Sequence, residues 1–281
     1  MKLVRYGAMG AERPGLIDDK GQLRDLSGVI SDISSETLSD EMLEQLRRLD
    51  QTSLPIIENA PRLGPPVGRV GKFLCIGLNY SDHAAEAGLK VPAHPILFHK
   101  ATSAIIGAYD EVRLPRGSIK SDWEIELGLV ISKPCKYVEA KDALDYVAGY
   151  LIANDISERQ FQIELSGQWT KGKSCDTFGP IGPYLVTADE ITDPQNLDLE
   201  LKVNGETMQK GNTSTMIFSC AEIIAHLSQF MTLHPGDVIS TGTPPGVGMG
   251  LSPQRFLKKG DEMQLSISGL GMQKSPIGED E

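Results

Sequence analysis

The alternation of apolar and polar residues predicts a chain that consists mostly of β-strands. Successive side chains of a strand point to opposite faces, so short alternating runs bounded by Gly and Pro favour strands. Apolar residues at helical spacing predict two helices, at residues 39–49 and 220–231. The predicted strands lie at residues 1–6, 73–76, 123–131, 146–153, 184–187, 197–203, 237–240 and 262–267. Because strands and helices do not alternate regularly, we predict an α+β fold dominated by β-structure, a sandwich or roll, rather than a doubly wound parallel sheet.

A segment rich in Pro and Gly, at residues 59–68, is the best linker candidate in the chain. Pro and Gly interrupt regular structure and leave the backbone exposed to water. We therefore predict a small N-terminal α/β domain that includes this linker, at residues 1–68, and a main domain at residues 69–281. The first of these carries little that suggests chemistry.

Composition and charge exclude several classes of partner. The chain has 281 residues and a formal net charge of −11, with its acidic residues spread along its length, so we expect no binding to nucleic acid or anionic membranes. The first ten residues lack an apolar stretch of signal-peptide length, and no later run approaches the roughly 18 apolar residues of a membrane span. We expect a cytoplasmic protein. Its four cysteines form no C-x-x-C pair, which argues against a disulfide framework or a zinc knuckle.

Three acidic residues form the first candidate site. Glu124 and Glu126 alternate with apolar residues in a predicted strand, so both carboxylates should lie on one face. Adjacent like charges are unfavourable unless a cation lies between them, and Mg²⁺ or Mn²⁺ takes oxygen ligands of this kind. Asp155, at the end of another apolar strand, would supply a third ligand. The alternatives are a solvated strand face for the two glutamates and a helix cap for Asp155.

Two polar residues follow Asp155 at helical spacing. Residues 156–164 are predicted to be helical, and Arg159 and Gln162 would then share one face of that helix beside the metal. A fixed guanidinium and an amide could hold a substrate carboxylate or hydroxyl. The alternative for Arg159 is an ordinary surface charge.

The segment at residues 167–174 matches the P-loop pattern G-x-x-x-x-G-K-[ST]. A P-loop follows a buried strand and opens a helix, whereas this match follows a polar stretch and continues into a segment rich in Gly and Pro. We therefore do not expect nucleotide binding. Lys173 in this loop could instead neutralise negative charge that develops on an oxygen, the alternative being a solvent-facing lysine.

Two further segments offer catalytic and binding groups. His83 and Glu86 are spaced i, i+3 in a predicted short helix, so the carboxylate could orient the imidazole as a general base. Beyond residue 240 a loop rich in Gly and Pro would let the Thr243 hydroxyl approach a ligand. A surface His/Glu pair and a bare turn are the respective alternatives. The absence of G-x-S-x-G, H-E-x-x-H and G-x-G-x-x-G motifs argues against a serine hydrolase, a zincin and a Rossmann dehydrogenase.

Seven short segments, taken in order, resemble the fumarylacetoacetate hydrolase family over about residues 70–271. They are GLNYSDH at 77–83, PILFHKATS at 95–103, EIELG at 124–128, NDISER at 154–159, KGKSCDTF at 171–178, PGDVISTGTP at 235–244 and GLG at 269–271. The resemblance implies a mixed β-sandwich roll whose catalytic domain is residues 69–281, and a homodimer or dimer of dimers. It also implies cleavage of a C–C bond next to a ketone, with Mg²⁺, Mn²⁺ or Ca²⁺ on Glu124, Glu126 and Asp155.

The resemblance further implies a role for each remaining candidate. The metal would hold the carboxylate and 2-oxo group of a 2,4-dioxo acid. His83, oriented by Glu86, would activate water to attack the distal C4 carbonyl, and Lys173 would stabilise the resulting oxyanion. Substrate binding would fall to Arg159, Gln162, Thr243 and Lys100.

The segment at residues 168–184 resembles bacterial hydrolases of 2,4-dioxo-3-deoxy sugar acids, such as the rhamnonate and fuconate derivatives. Eukaryotic fumarylacetoacetases carry an extra metal-binding aspartate that has no counterpart near Ile76, so we do not expect a role in tyrosine breakdown. An acylpyruvate hydrolase, an oxaloacetate decarboxylase, an isomerase of 2-oxo acids and a non-catalytic protein that binds oxo acids remain alternatives.

Overall fold

The computed structural model describes residues 1–82 and 90–280. Within them the helices are α1 (Asp40–Arg47), α2 (Thr170–Lys173) and α3 (Cys220–Phe230), and Gln160–Glu164 form one turn of π-helix. The strands are β1 (Lys2–Tyr6), β2 (Arg13–Ile17), β3 (Leu23–Asp25), β4 (Leu63–Gly64), β5 (Phe73–Gly77), β6 (Ile96–Lys100), β7 (Ile105–Gly107), β8 (Val112–Leu114), β9 (Ser121–Asp122), β10 (Ile125–Ile131), β11 (Val147–Asn154), β12 (Ser157–Glu158), β13 (Gly179–Ile181), β14 (Leu185–Thr187), β15 (Asp198–Val203), β16 (Glu206–Asn212), β17 (Val238–Ser240), β18 (Glu262–Ile267) and β19 (Gly271–Glu279). In this described part of the chain, no helix combines the length and apolar character needed to cross a membrane.

The strands form two large sheets and one short pair. The largest sheet has the order β3-β2-β1-β14-β11-β10-β17-β5-β6, with β4 beside β1 and with β13 joining β11 to β7. A second sheet has the order β16-β15-β18-β19-β8, and β12 pairs with β9 apart from both. Most neighbours are antiparallel, while β17–β5, β13–β7 and β19–β8 are parallel. The predicted strand-dominated α+β fold is confirmed, and a doubly wound parallel sheet is excluded.

Each face of the largest sheet is covered by its own apolar core. Leu127 of β10 points into a core that also contains Leu265 of the second sheet and Ile223 of α3. Val130 of β10 and Leu151 of β11 belong to the core on the other face. Because both faces are covered, β10 and β11 are buried along their whole length, as continuous apolar runs usually are. These two strands form a rigid base for the side chains at their ends.

The N-terminal segment is attached to the rest of the chain by a strand and a helix. β1 pairs with β14 in the largest sheet, with Lys2 opposite Val186. α1 buries Leu43 and Leu46 in the same core as Val238 of β17. The domain division between residues 68 and 69 stays a prediction, and strands from both sides of it share one sheet.

One predicted helix is wrong. Instead of a helix through residues 156–164, the chain forms β12, which pairs with β9, and only Gln160–Glu164 is helical. The Glu158 carboxylate accepts hydrogen bonds from the N–H groups of Lys120 and Phe161, at 2.7 and 2.8 Å. This tertiary pairing holds the start of the segment extended, and helical spacing in the sequence could not reveal it.

Candidate metal centre

Three carboxylates meet where β10 begins and β11 ends. Glu124 precedes β10, Glu126 lies within it, and Asp155 follows β11. Each residue offers one oxygen, and these three oxygens lie within 4.8 Å of one another. The residues are 6, 1 and 0% exposed, which excludes a solvated strand face. The acidic cluster expected from the sequence is therefore assembled in the fold.

The alternation of β10 accounts for this geometry. Ile125 and Leu127 point into the core between the two sheets, so the flanking glutamates point to the opposite face. The N–H of Asp155 donates to the carbonyl of Glu124 at 2.9 Å, which ties the two strand ends together. The Asp155 side chain accepts hydrogen bonds from two lysines, as described next, and caps no helix.

Two buried ammonium groups contact the cluster. Lys173 Nζ lies 2.7 Å from Glu124 Oε2 and 2.5 Å from Asp155 Oδ2. Lys100 Nζ lies 2.6 Å from Asp155 Oδ1, and it also donates to the carbonyl of Ile156 at 2.9 Å. Lys173, the lysine at the conserved position of the P-loop pattern, is thus an ion-pair partner of two carboxylates.

A glycine brings Lys173 to this position. Lys173 is the last residue of α2, and Gly172 precedes it. A Cβ added at Gly172 would lie 2.2 Å from the carbonyl oxygen of Glu158, so a larger residue would push α2 away from β12. The close approach of α2 therefore depends on glycine here.

Burial and charge act on the cluster together. Burial, with the neighbouring Asp155 and Glu124, raises the pKa of Glu126 well above its usual range. Burial disfavours the charged form of Lys173, but attraction to Asp155 and Glu124 outweighs it, and its pKa is raised. The same balance, with Glu124 and Asp122 as the partners, raises the pKa of Arg159. Lys173 and Arg159 therefore stay charged, whereas Glu126 resists ionisation in the protein alone.

The donor set fits a hard divalent cation. Its three ligands are carboxylate oxygens, which Mg²⁺ and Mn²⁺ prefer. The carboxylates of Glu124, Glu126, Asp155 and Asp122 outnumber the cationic groups of Lys100, Lys173 and Arg159 by one. A bound dication would offset this excess and stabilise the ionised form of Glu126, whose pKa is raised by burial first and then by the neighbouring Asp155 and Glu124. Glu124, Glu126 and Asp155 could therefore hold a metal.

Asp122 was missed by the sequence analysis. It is fully buried, and its Oδ2 accepts hydrogen bonds from Nε of Arg159 at 2.9 Å and from the N–H of Met249 at 3.0 Å. Its Oδ1 accepts from the N–H of Gly248 at 2.6 Å. The alternation of side chains along a strand could have revealed it, because Asp122 stands two residues before Glu124 and should therefore lie on the same face as the two glutamates.

Arg159 is held on three sides. Besides Asp122, its Nη2 lies 2.6 Å from Glu124 Oε1, and its Nη1 donates to Gln162 Oε1 at 3.1 Å. Arg159 and Gln162 are thus side by side as predicted, although a π-turn rather than an α-helix carries Gln162. Arg159 is 5% exposed, which excludes the ordinary surface charge.

Glu126 is oriented by the strand beside it. Its Oε2 accepts hydrogen bonds from Ser240 Oγ at 2.5 Å and from the N–H of Gly242 at 2.8 Å. Gly242 has φ +98°, and a Cβ there would lie 2.7 Å from Cβ of Asn79. The loop after β17 therefore supports Glu126, a metal-ligand candidate, through a backbone N–H group. The sequence analysis had expected this loop to contact a ligand directly instead.

A cavity of about 380 Å³ opens onto the cluster. Its charged and polar lining residues are Glu124, Glu126, Arg159, Gln162, Lys173 and Thr243. The Thr243 hydroxyl donates to the carbonyl of Ile125 and accepts from Gln209 Nε2, both at 2.8 Å. The remaining wall is largely apolar, with Trp169 packed edge-on against Phe98 at 5.3 Å between ring centroids. The lining thus combines a group of charged and polar residues that contact one another with a larger set of apolar residues, and Phe98 meets Lys173 at 4.9 Å from ring centroid to Nζ.

Lys100 contacts the cluster at Asp155, and two other predicted site residues lie in a part of the chain that the structure does not describe. Lys100 is absent from the residues that line this cavity and lies behind Asp155, so its contacts favour support of a ligand residue, and its contact with substrate stays a prediction. His83 and Glu86 lie outside the described residues. Their predicted roles as base and orienting carboxylate stay predictions.

Known proteins resemble this chain over nearly its whole length. A protein of Burkholderia multivorans, whose name is no more specific than hydrolase, is 58% identical over 274 residues, which is 97% of each chain. Maleylpyruvate hydrolase of Sphingobium sp. SYK-6, solved with Mn²⁺ and pyruvate, is 28% identical with a TM-score of 0.84. The 2-hydroxyhepta-2,4-diene-1,7-dioate isomerase of Mycobacterium marinum is 32% identical with a TM-score of 0.76. The first of these structures is matched over 100% of both chains, and the second over 100% of this chain and 99% of its own.

A protein-family model matches the part of the chain that contains the candidate site. The model of the fumarylacetoacetate (FAA) hydrolase C-terminal domain matches residues 72–277, which include the acidic cluster, both lysines and the cavity. On this match and the 58% identity with the Burkholderia protein, the chain belongs to the fumarylacetoacetate hydrolase family.

Proposed function

We propose that this protein is a metal-dependent hydrolase that cleaves a C–C bond of a 2,4-dioxo acid and releases pyruvate. The observation that carries the proposal is the cluster of Glu124, Glu126 and Asp155, which lies with Lys173 and Arg159 beside one cavity. The name of the Sphingobium structure, a hydrolase with Mn²⁺ and pyruvate, supports the same chemistry. The metal is Mg²⁺ or Mn²⁺.

The charged groups of the cavity suit the oxo-acid end of such a substrate. A divalent ion on the three carboxylates would supply Lewis-acid polarisation of the 2-oxo group. Arg159 and Gln162 would orient the substrate carboxylate, because both line the cavity and are fixed by hydrogen bonds before a ligand arrives. The ammonium of Lys173 would stabilise negative charge on a carbonyl oxygen, since its raised pKa keeps it protonated.

The hydrolytic step is assigned to His83 and Glu86 from the family resemblance. His83, oriented by Glu86, would take a proton from water as that water adds to the C4 carbonyl. The C3–C4 bond then breaks, which yields a carboxylic acid and the enolate of pyruvate, and the enolate takes up a proton at C3. Our best candidate substrate is 2,4-didehydro-3-deoxy-L-rhamnonate or a related sugar acid, which would give pyruvate and a hydroxy acid.

An isomerase or a decarboxylase is the second candidate. The Mycobacterium marinum relative is named an isomerase, and stabilisation of an enolate would serve either reaction without attack by water. Replacement of the base separates these functions. Glu86→Ala should abolish most hydrolysis of a 2,4-dioxo acid, whereas an isomerase or decarboxylase would keep its turnover of the corresponding substrate.

Release of pyruvate is the direct test. The purified protein with Mg²⁺ is mixed with acylpyruvates, 2,4-dioxo sugar acids and oxaloacetate, and pyruvate is followed by oxidation of NADH with lactate dehydrogenase. We expect pyruvate from at least one 2,4-dioxo acid, and loss of metal and activity in Glu126→Gln. Glu58→Gln, at an exposed loop position, is the matched control and should keep both.

Two outcomes would contradict the proposal. Binding of these acids without turnover would indicate a non-catalytic oxo-acid-binding protein. Full metal content and full activity in Glu126→Gln would show that the acidic cluster is not the reaction centre. We also propose a homodimer or dimer of dimers, which sedimentation of the purified protein would test.

A further inference from the structure

We propose that Lys173 opposes metal binding in this protein, so that the acidic cluster takes up a divalent ion most tightly together with an anionic ligand. This inference rests on the proposed function, because it takes Glu124, Glu126 and Asp155 as the metal ligands. The family resemblance gives Lys173 another role, the stabilisation of an oxyanion, and one ammonium can serve both roles.

Every carboxylate oxygen of two ligand candidates contacts a cation. Glu124 Oε1 lies 2.6 Å from Nη2 of Arg159, and its Oε2 lies 2.7 Å from Nζ of Lys173. Asp155 Oδ1 lies 2.6 Å from Nζ of Lys100, and its Oδ2 lies 2.5 Å from Nζ of Lys173. Since Mg²⁺ lies about 2.1 Å from its oxygen ligands, the ion would lie within about 5 Å of a positive charge whichever of these oxygens it uses.

The ammonium of Lys173 has the closest relation to the candidate ligands. It pairs with both Glu124 and Asp155, whereas Lys100 and Arg159 pair with one candidate each. A divalent ion on Glu124 Oε2 or Asp155 Oδ2 would share that oxygen with the ammonium of Lys173. The two positive charges repel each other, so the ion should bind more weakly than it would beside an uncharged side chain.

The side chain of Lys173 is held where it is. The residue is 2% exposed, and its Nζ lies 4.9 Å from the ring centroid of Phe98. The helix that carries it is packed just as closely, because a Cβ added at Gly172 would lie 2.2 Å from the carbonyl oxygen of Glu158. We therefore expect the ammonium to stay beside a bound metal rather than to swing into water.

An anionic ligand would relieve this repulsion. The carboxylates of the cluster and Asp122 exceed the neighbouring cations by one, as described above, so a divalent ion leaves one net positive charge. The carboxylate of a 2-oxo acid would bring the sum to zero. Because Lys173 lines the cavity, such an anion can contact the ammonium as well as the metal. Metal and oxo acid should therefore strengthen each other's binding, and part of this coupling should depend on the charge of Lys173.

Affinity for Mn²⁺ in lysine variants tests the inference without any turnover. Lys173→Met removes the ammonium, and Lys173→Gln replaces it with a neutral amide that can still donate to carboxylates. Lys171→Met is the matched control, because Lys171 lies in the same helix, is exposed and donates to the carbonyl of Leu165. The electron paramagnetic resonance signal of free Mn²⁺ measures Kd. We expect Mn²⁺ to bind at least about tenfold more tightly to both Lys173 variants than to the wild type, and within about twofold of the wild type to Lys171→Met.

The opposite result has a distinct physical meaning. Equal or weaker binding of Mn²⁺ by the Lys173 variants would overturn the inference, because the ammonium would then hold the carboxylates in place for the metal. Circular dichroism shows whether each variant is folded. Lys173→Gln, which keeps hydrogen-bond donors at this position, decides the result if Lys173→Met does not fold.

Pyruvate tests the coupling between metal and anion. The Mn²⁺ titration is repeated at a pyruvate concentration that saturates each protein. We expect pyruvate to tighten Mn²⁺ binding by at least about tenfold in the wild type and in Lys171→Met, and by at least about threefold less in Lys173→Gln. Equal tightening in the wild type and in Lys173→Gln would contradict the part that Lys173 plays in the coupling.

The same titrations separate this inference from the proposed function. Tighter Mn²⁺ binding by Lys173→Gln, with no release of pyruvate from any 2,4-dioxo acid by the wild type, would support the inference and contradict the hydrolase activity. Release of pyruvate by the wild type, with weaker Mn²⁺ binding by Lys173→Gln, would do the reverse. A wild-type protein that binds no divalent ion would contradict both.

Discussion

Asp122 Oδ2 accepts a hydrogen bond from Nε of Arg159 at 2.9 Å and lies 2.8 Å from its Nη2. The other oxygen of the carboxylate accepts the N–H of Gly248, in the loop that lines the cavity beside Met249. One buried carboxylate therefore fixes both a cation of the candidate site and a backbone segment of the cavity wall. This relationship makes Asp122 a positioning residue.

Asp122→Asn should destabilise the protein strongly. The amide that replaces the carboxylate would direct an NH₂ group at N–H donors, and the charge of Arg159 would lose one of its two carboxylate partners. We expect the free energy of unfolding in urea to fall by about 3 kcal/mol or more, the usual cost of breaking a buried ion pair. Asp189→Asn, which breaks the exposed pair with Arg47, is the control and should cost about 1 kcal/mol or less. Similar losses in both variants would contradict the positioning role.

Gly242→Ala should weaken metal binding as well as stability. The residue has φ +98°, its Cβ would lie 2.7 Å from Cβ of Asn79, and its N–H donates to Glu126. Gly260 also has a positive φ, +89°, but nothing lies within 4 Å of its added Cβ. In both alanine variants, backbone strain should lower the free energy of unfolding by about 1–2 kcal/mol. Only in Gly242→Ala should the clash with Asn79 lower it by about 1–3 kcal/mol more. Titration with Mn²⁺ should show weaker binding in Gly242→Ala alone, and unchanged affinity would contradict the support of Glu126 by this loop.

Lys100→Met distinguishes support of Asp155 from contact with substrate. The buried ammonium pairs with Asp155 and donates to the carbonyl of Ile156, so its loss should lower the free energy of unfolding by about 3–5 kcal/mol. Lys133→Met, at the exposed pair with Asp40, should cost about 1 kcal/mol or less. If affinity for pyruvate fell much more than affinity for Mn²⁺, the substrate contact implied by the family resemblance would be supported instead.

Cys175 should be alkylated slowly by iodoacetamide. Burial raises the pKa of its thiol to about 11, so at pH 8 the reactive thiolate is rarer than in an ordinary cysteine. After allowance for the higher nucleophilicity of a more basic thiolate, we expect alkylation at least about tenfold slower than in the urea-unfolded protein. The rate should rise with each unit of pH up to about 11, because the thiolate fraction grows until the pKa is reached. Mass spectrometry of the peptide that contains Cys175 measures the rate of alkylation. Equal rates in the folded and the unfolded protein would refute the prediction.

Local patterns in the sequence predicted many of the strands of the two large sheets and the helix α3. Predicted strands at residues 73–76 and 262–267 correspond to β5 (Phe73–Gly77) and β18 (Glu262–Ile267), and the helix at 220–231 corresponds to α3. β18 alternates buried and partly buried residues, β5 is a short apolar run between Gly71 and Gly77, and α3 has apolar residues at helical spacing after a Ser219 cap. Among the strands that escaped prediction, β16 lies at a sheet edge. β2 and β19 lie inside their sheets, but both contain Gly and Pro, which in a sequence argue against a strand.

The chemistry of Glu124 and Glu126 also followed from the sequence, because a strand places alternate side chains on one face whatever its surroundings. The third ligand candidate, Asp155, and the cations around it come from other elements, and their meeting depends on which strands pair. The role of Asp122, the position of Lys100 behind Asp155 and the extended start of residues 156–164 all arise from contacts between segments distant in sequence. Local periodicity determines which side chains share a face, whereas burial, partners and distances follow from long-range packing, which no local pattern contains.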